Sequence, residues 1–187
     1  MVGRAGPDPP PGAGRRLTPP TWETRPVREW LVAGGLILGP EGLLLVKNVR
    51  RNGRADWTPP GGVIDEGEDL VTGLTREVKE ETGLTVESWL GPVYRLETMA
   101  PGLGWHMRFE AHLAVEVSGE LAIDDPDGIV VDAAWVDVDV CGERLATTHP
   151  WVREPLVEWL AERWDDERSF GYHVDGANPA DLVVRRV

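Results

Sequence analysis

The sequence contains very little cysteine, which limits both its redox chemistry and its metal chemistry. Cys141 is the only cysteine, so the chain cannot form an internal disulfide, and this favours a reducing, cytoplasmic location. The four histidines show no zinc-like spacing with each other or with the cysteine. We interpret Cys141 as a small buried residue or a bystander rather than as a nucleophile.

Long apolar runs and internal repeats are also missing. No apolar run approaches the roughly 18 residues that cross a bilayer, and the first residues lack the apolar segment of a signal peptide. We find no repeat with a period of about 20–50 residues. These absences predict a chain with no membrane partner and a single domain.

Basic residues are outnumbered by acidic ones. The chain has 19 Lys and Arg against 32 Asp and Glu, for a net charge of −13. Proteins hold long nucleic acids with basic stripes, so this composition argues against a nucleic-acid partner. A small anionic substrate remains compatible, because a bound metal ion can outweigh the overall field at short range.

Proline and glycine, in contrast, are concentrated near the N-terminus, and their distribution predicts three segments. Residues 1–26 hold seven prolines and four glycines with few apolar residues, which predicts a largely disordered tail or, alternatively, a Pro-rich interaction arm. Residues 27–167 are long enough to bury one hydrophobic core. Residues 168–187 are expected to form a C-terminal extension of short strands packed on the domain, where they could close a sheet edge or make a homodimer contact.

Apolar patterning predicts strands before and after an acidic segment, residues 62–84, which we expect to be helical after Gly67. Nearly continuous apolar runs over residues 28–38 and 43–49 flank a Gly-Pro-Glu-Gly turn and suit strands covered on both faces. Apolar residues spaced three and four apart over residues 151–164 predict an amphipathic helix on the opposite side of the sheet from the acidic helix. Further strands are predicted over residues 86–98, 105–117 and 130–138.

Three glutamates near the end of the acidic segment are the main evidence for a functional site. If the segment after Gly67 is helical, Glu80 lies about 60° to one side of Glu77 and Glu81 about 40° to the other, so all three share one face. At an effective dielectric near 20, each pair about 5–6 Å apart repels by roughly 3 kcal/mol. A cation is needed to relieve this repulsion.

The apolar stripe of the same helix places these acids at the edge of a core. Leu70, Val71, Leu74 and Val78 fall on an arc that starts beside the carboxylates, so the acids would be partly shielded when the stripe is buried. Clustered, partly shielded oxygens are the ligands of a hard divalent cation. We expect Mg²⁺, with Mn²⁺ as an alternative.

Nine positions between residues 62 and 84 form a fixed pattern: Gly62, Glu68, Arg76, Glu77, Val78, Glu80, Glu81, Gly83 and Leu84. Together they resemble the Nudix box without a departure, and nine matches over 23 residues are a very specific signal. The preceding residues, Trp57-Thr58-Pro59-Pro60-Gly61, are similar to that family's usual lead-in.

The resemblance implies a fold, a metal site and an activity. The implied fold is an α/β/α sandwich with a mixed β-sheet between helices, and the implied activity is hydrolysis of a diphosphate linked to a nucleoside. Glu77 and Glu81 match the principal metal-binding glutamates, and Glu80 matches a third that binds metal or water. The backbone carbonyl of Gly61 matches a position that can complete the metal shell. Arg76 and Glu68 match supporting positions, the first orienting the carboxylates and the second bracing the loop.

The chemistry requires a base that removes a proton from the attacking water, and the sequence leaves its identity open. The base must lie within about 3 Å of that water or one water removed. Glu80 is our first choice. An acid from elsewhere is the alternative: Asp127 or Asp125 in the loop before the strand at 130–138, or Glu110 or Glu97 in the strands before it. Glu110 shares a strand face with Arg108 and His112, and that face either meets solvent or lines the cleft.

A polar turn that is rich in arginine lies immediately upstream of the box. Residues 50–54 carry three arginines, and a solvated hairpin tip is the ordinary structure for such a turn. Because the turn is close to the expected site, Arg51 or Arg54 could instead clamp substrate phosphates through bidentate hydrogen bonds.

The function that we predict is Mg²⁺-dependent hydrolysis of a nucleoside diphosphate linked to another moiety. ADP-ribose, another nucleotide sugar, a modified nucleoside triphosphate and a dinucleoside polyphosphate are the candidate substrates. The rival hypothesis is a catalytically silent Nudix-like domain that only binds a nucleotide or a partner protein. Such a domain has little need of all three glutamates, so their presence favours the enzyme.

Overall fold

A computed structural model describes residues 27–51, 53–178 and 181–187 of the chain. The tail predicted for residues 1–26 lies outside these residues. None of the helices in the described ranges is long and apolar enough to span a membrane.

Nine strands and three helices make up the described chain. The helices are α1 (Leu70–Thr82), α2 (Cys141–Arg144) and α3 (Pro150–Glu162). The strands are β1 (Arg28–Leu36), β2 (Leu38–Gly39), β3 (Gly42–Val49), β4 (Ala55–Thr58), β5 (Thr85–Ala100), β6 (Trp105–Ser118), β7 (Val130–Val136), β8 (Arg168–Asp175) and β9 (Val183–Arg186).

The strands form two sheets, and one of them is the mixed sheet that was predicted. The first has the order β1-β6-β5-β8-β9 and is mixed, because β1 runs parallel to β6 and β5 runs parallel to β8. The second is antiparallel and places β3 between β4 and β7, with β2 paired to the start of β3. The α/β class is confirmed, and so is a mixed sheet with helices on it.

Helices α1 and α3 pack on opposite faces of β1, as predicted. Ala33 belongs to the cluster of buried side chains that includes Leu74 of α1, whereas Leu36 belongs to the cluster that includes Leu156 of α3. Side chains three apart on a strand point to opposite faces, so the helices cover different sides. Burial on both faces explains the nearly continuous apolar run of this strand.

The C-terminal segment completes the first sheet. Strand β8 pairs with β5, and Phe170, Tyr172 and Val174 are buried in the α3 cluster. The Tyr172 hydroxyl donates to Glu154 Oε2 of α3 at 3.0 Å. The two strands expected in this region are therefore present, and the first of them contributes to the core.

Candidate active site

Helix α1 carries the three glutamates, and both of its ends are capped. The Asp69 carboxylate accepts a hydrogen bond from the Thr72 backbone N–H at 3.1 Å at the N-terminus. Gly83 ends the helix in the left-handed region with φ of 76° and donates its N–H to the Lys79 carbonyl. The predicted helix is confirmed, and its glutamates share the face that points toward the loop before it.

That loop, residues 59–62, lies tightly between β1 and α1. The Gly35 N–H donates to the Pro60 carbonyl at 2.8 Å, and the Ala33 N–H donates to the Gly62 carbonyl at 3.0 Å. Gly61 has a φ of +136°, and a Cβ there would lie 2.3 Å from the Ala33 carbonyl oxygen. Glycine is therefore required at this position, both for the backbone conformation and for the close contact.

Glu81 is the most deeply buried of the three glutamates, with 9% of its surface exposed. Its Oε2 accepts a hydrogen bond from the Gly61 backbone N–H at 2.7 Å, which connects the helix to the loop. Burial raises the pKa of Glu81 to about 8, although the Gly61 N–H opposes this shift. The nearby charges of Glu77 and Asp125 raise the pKa further, and Arg50 lowers it.

Arg76 is the counterion of the cluster. Its Nη1 donates to Glu77 Oε1 at 2.8 Å and to Glu80 Oε2 at 3.3 Å. Its Nη2 and Nε donate to the two oxygens of Glu68 at 2.9 and 3.2 Å, and the hydrogen bonds from Arg76 lower the pKa of Glu68. Glu68 thus holds the guanidinium that contacts Glu77 and Glu80, whereas the motif implied that Glu68 braces the loop.

The loop before β7 adds acidic side chains to the site. Asp125 and Asp127 both line the same cavity as the glutamates. The Asp125 carboxylate is held by the backbone, because its Oδ2 accepts from the N–H groups of Ile129 and Val130 at 2.7 Å each. The charge of Asp127 contributes to a raised pKa of Glu77, for which burial is the main cause.

A cavity of about 770 Å³ opens beside the glutamates, between the two sheets and the start of α3. Its charged lining residues are the three glutamates, the aspartates Asp65, Asp125 and Asp127, and the arginines Arg50 and Arg76. Apolar and aromatic residues complete the lining, among them Tyr94, Leu96, Met107, Phe109, Trp151 and Val152. A ligand that combines a charged group with a flat or apolar group matches this mixed lining.

The carboxylate oxygens of the cavity lining fit a hard divalent cation. Glu77, Glu80 and Glu81 all line the cavity beside the Gly61 backbone, and grouped oxygens are the ligands that such a cation takes. Within residues 27–51, 53–178 and 181–187, no three or more His, Cys, Asp or Glu side chains already adopt a metal-holding arrangement. Arg76 and the Gly61 N–H occupy the carboxylate oxygens instead.

Five of the candidate site residues do not line this cavity: Arg51, Arg54, Glu68, Glu97 and Glu110. Arg54 contacts His149 Nε2 at 3.2 Å and donates to the Thr147 carbonyl at 3.1 Å, and neither Arg54 nor Arg51 lines the cavity. Glu110 accepts from Arg95 Nε at 2.8 Å and lines a second cavity on the other face of the first sheet. The neighbours of Glu110 in sequence explain its position, because Phe109 and Met107 line the main cavity and alternate residues of β6 face the other way.

Arg50 is the arginine of the 50–54 turn that does line the cavity, and it was not singled out from the sequence. The alternation of side chains along β3 explains its position. Asn48 in β3 also lines the cavity, and Arg50, two residues further along the chain, points to the same side.

The fold and the site together define a Nudix domain. A family model described as the NUDIX domain matches residues 29–160, and the chain belongs to this family.

Curated relatives agree with this assignment. A human 8-oxo-dGDP phosphatase, NUDT18, is 36% identical over 146 residues, which is 78% of this chain and 42% of the relative. An RNA pyrophosphohydrolase of Caulobacter vibrioides is 29% identical over 139 residues, which is 66% of this chain and 81% of the relative. The mouse NUDT18 protein is 35% identical over 94 residues, and the match covers 27% of it. The chain therefore spans less than half the length of the two mammalian relatives.

Solved structures share the fold. The Escherichia coli ORF135 protein superposes with a TM-score of 0.61 at 19% identity, covering 75% of this chain and 96% of that one. A MutT protein from Bacillus halodurans superposes with a TM-score of 0.59 at 21% identity, covering 84% of this chain and 97% of that one.

Proposed function

We propose that the protein is a Mg²⁺-dependent hydrolase that cleaves the diphosphate of a nucleoside diphosphate linked to another moiety, such as ADP-ribose, a nucleotide sugar or a modified nucleoside triphosphate. The observation that carries this proposal is the position of Glu77, Glu80 and Glu81 beside the Gly61 backbone in the lining of a cavity that also contains aromatic side chains. The carboxylates suit a metal-bound diphosphate and the aromatic side chains suit a nucleobase.

The glutamates and the Gly61 carbonyl would hold the metal. When bound, Mg²⁺ (or Mn²⁺) neutralises phosphate oxygens and lowers the pKa of a coordinated water. Arg76 keeps Glu77 and Glu80 oriented through its hydrogen bonds, and Glu68 keeps Arg76 in place. These contacts would limit the reorganisation needed at the moment of reaction.

Glu80 is our choice for the general base. Its side chain is 34% exposed, and its shortest ion-pair contact is the 3.3 Å one to Arg76, so it is the least constrained of the three carboxylates. It would accept the proton from water that attacks phosphorus in line, and the bond from phosphorus to the bridging oxygen would break to give two phosphorylated products. Asp127, which lines the same cavity, is the alternative base.

The names of the relatives suggest where the substrate search should begin. The human relative is named as an 8-oxo-dGDP phosphatase and the Caulobacter relative as an RNA pyrophosphohydrolase. We therefore place oxidised purine nucleoside diphosphates and triphosphates first in a panel, followed by ADP-ribose, nucleotide sugars and dinucleoside polyphosphates.

The test is turnover of this panel with Mg²⁺ by the wild type and by Glu81→Gln, Glu80→Gln and a control, Glu116→Gln. Glu116 is an exposed glutamate of β6 outside the cavity lining. We expect at least one substrate to be cleaved, with kcat lowered about 100-fold or more in Glu81→Gln because charge stabilisation is lost, and unchanged in the control. No turnover of any member, or equal turnover in Glu81→Gln, would contradict the proposal and favour a silent nucleotide-binding domain.

A further inference from the structure

Arg50 lines the cavity beside the second sheet and forms an ion pair with Asp56, which does not line it. Arg50 directly follows β3 and Asp56 lies in β4, where it pairs across the strands with Asn48. The Arg50 Nη2 lies 3.7 Å from the Asp56 Oδ1. This separation is within ion-pair range but too long for a hydrogen bond.

The two partners differ sharply in burial. The Asp56 side chain is 7% exposed, and its Oδ1 is buried without a hydrogen bond among the described residues. The Arg50 side chain is 49% exposed and lines the cavity. A buried carboxylate with an unsatisfied oxygen is costly unless a positive charge stays close to it, so Asp56 holds the guanidinium at the cavity wall.

The donors of Arg50 remain available. Its guanidinium makes no side-chain hydrogen bond to another described residue, and its one ion contact is the one to Asp56. Arg76, the other arginine of the cavity lining, is already engaged by Glu68, Glu77 and Glu80. A planar fork with free donors is suited to two oxygens of a phosphate group.

Arg50 shares its cavity with the carboxylates of α1. Glu77, Glu80 and Glu81 line the same cavity as Arg50. The backbone of β3 just before Arg50 is fixed, because the Val49 N–H donates to the Ile129 carbonyl at 2.8 Å. The turn is closed by the Arg50 N–H, which donates to the Arg54 carbonyl at 2.8 Å.

We propose that Arg50 is the phosphate-binding arginine of the site and that Asp56 is a positioning residue that acts through it. This proposal rests on the proposed function for the identity of the ligand, a diphosphate. It assigns the phosphate contact to a residue different from Arg51 and Arg54, and it gives the orphaned oxygen of Asp56 a role.

The test measures binding of inorganic pyrophosphate with Mg²⁺ by isothermal titration calorimetry, so it does not depend on turnover. We expect Arg50→Ala to weaken binding about 10- to 100-fold, the size expected for lost hydrogen bonds to a charged group. The pyrophosphate affinity of Arg50→Lys should lie between those of the wild type and Arg50→Ala, because lysine keeps the positive charge but lacks the planar pair of donors. Arg51→Ala, in the same turn, is the matched control and should bind as the wild type does.

A double-mutant cycle separates positioning from a structural role of Asp56. Asp56→Asn alone should weaken pyrophosphate binding about 5-fold or more, whereas adding it to Arg50→Ala should change binding less than about 2-fold, because the residue it orients is gone. Thermal melting of each variant checks the fold, and the double variant also removes the unpaired buried charge that Arg50→Ala leaves.

Three results would overturn the proposal: pyrophosphate binding by Arg50→Ala equal to that of the wild type, no binding by the wild type, or an equal loss from Asp56→Asn in both backgrounds. Failure of the proposed function looks different. In that case the wild type binds pyrophosphate in an Arg50-dependent manner but cleaves no substrate of the panel.

Discussion

Gly62 leaves room for the carboxylate of Glu77, which we propose as a metal ligand. A Cβ at this position would be 2.7 Å from Glu77 Oε2 and 2.9 Å from Glu77 Cδ. The obstacle is the end of a flexible side chain, so the carboxylate would move aside and the fold would be retained. The absence of a side chain at position 62 therefore determines where the Glu77 oxygens lie.

We expect Gly62→Ala to weaken Mn²⁺ binding about tenfold or more, comparable to the loss of a group that orients a metal ligand, with a melting temperature close to that of the wild type. Titration followed by electron paramagnetic resonance measures the binding. Gly142→Ala is the control, since its nearest neighbour would be 3.9 Å away. Equal Mn²⁺ affinity in both variants would show that Glu77 is not displaced or is not a ligand.

Glu81 connects stability to pH in the metal-free protein. The pKa of its carboxyl is about 8 in the folded protein, compared with the ordinary value of 4.5 for a glutamate in the unfolded chain. The folded state therefore binds the proton more tightly. The resulting stabilisation is complete below pH 4.5 and is lost as the pH rises through about 8.

With a chelator present to remove metal ions, the unfolding free energy of the wild type should fall between pH 5 and pH 9. The fall should exceed that of Glu81→Gln by about 2–4 kcal/mol. Urea denaturation at several pH values measures this difference. Saturating Mg²⁺ should recover part of the loss, because a cation that binds the ionised carboxylate stabilises the folded state. Parallel pH profiles for the two proteins would mean that Glu81 titrates normally.

The carboxylate cluster could be predicted from sequence because it depends on local geometry alone. Helix periodicity places Glu77, Glu80 and Glu81 on one face whatever the rest of the chain does. The predictions for Arg51, Arg54 and Glu110 could not be settled in this way. They depended on the direction in which each strand residue points and on which face of β6 lines the cavity. A shift of one residue reverses the side to which a strand residue points, so Arg50 could not be separated from Arg51 without the register of β3.

At the scale of elements, β8 shows how a segment outside the motif supports the core. Phe170 is 8% exposed, and its ring lies 5.9 Å from the ring of Tyr94 in β5 and 6.2 Å from that of Trp164. Removing such a ring takes away apolar contacts in the cluster that also packs α3.

Phe170→Ala should lower the unfolding free energy by about 3–5 kcal/mol in a single transition, as measured by chemical denaturation. Val183→Ala in β9, where the side chain is 57% exposed, should change it by less than about 0.5 kcal/mol. If Phe170→Ala behaved like the control, or unfolded in two steps, then β8 would be an appendage and not part of the cooperative fold.

The division into two sheets could not be derived from the sequence. The apolar runs of β1 and β3 predicted strands covered on both faces, and the structure agrees, since Leu43, Leu44 and Leu45 are fully buried. That pattern is equally compatible with one sheet or two, because periodicity reports burial and not the neighbour to which a strand is hydrogen-bonded.

For the molecule as a whole, the two sheets and α3 build one cavity from distant parts of the chain. Val32 of β1, Thr58 of β4 and Trp151 of α3 all line it. Only the contribution of α1 and its preceding loop was visible as a motif. The apolar part of the lining depends on tertiary packing, so the sequence alone does not identify the substrate.

The guanidinium of Arg76 has a consequence for the order of assembly. Because it already neutralises part of the charge on Glu68, Glu77 and Glu80, the crowded helix carries an internal counterion from the moment it forms. We therefore expect the polypeptide to reach its native shape in magnesium-poor surroundings. Uptake of the proposed ion would then be a late, reversible event that adds stability to a finished scaffold.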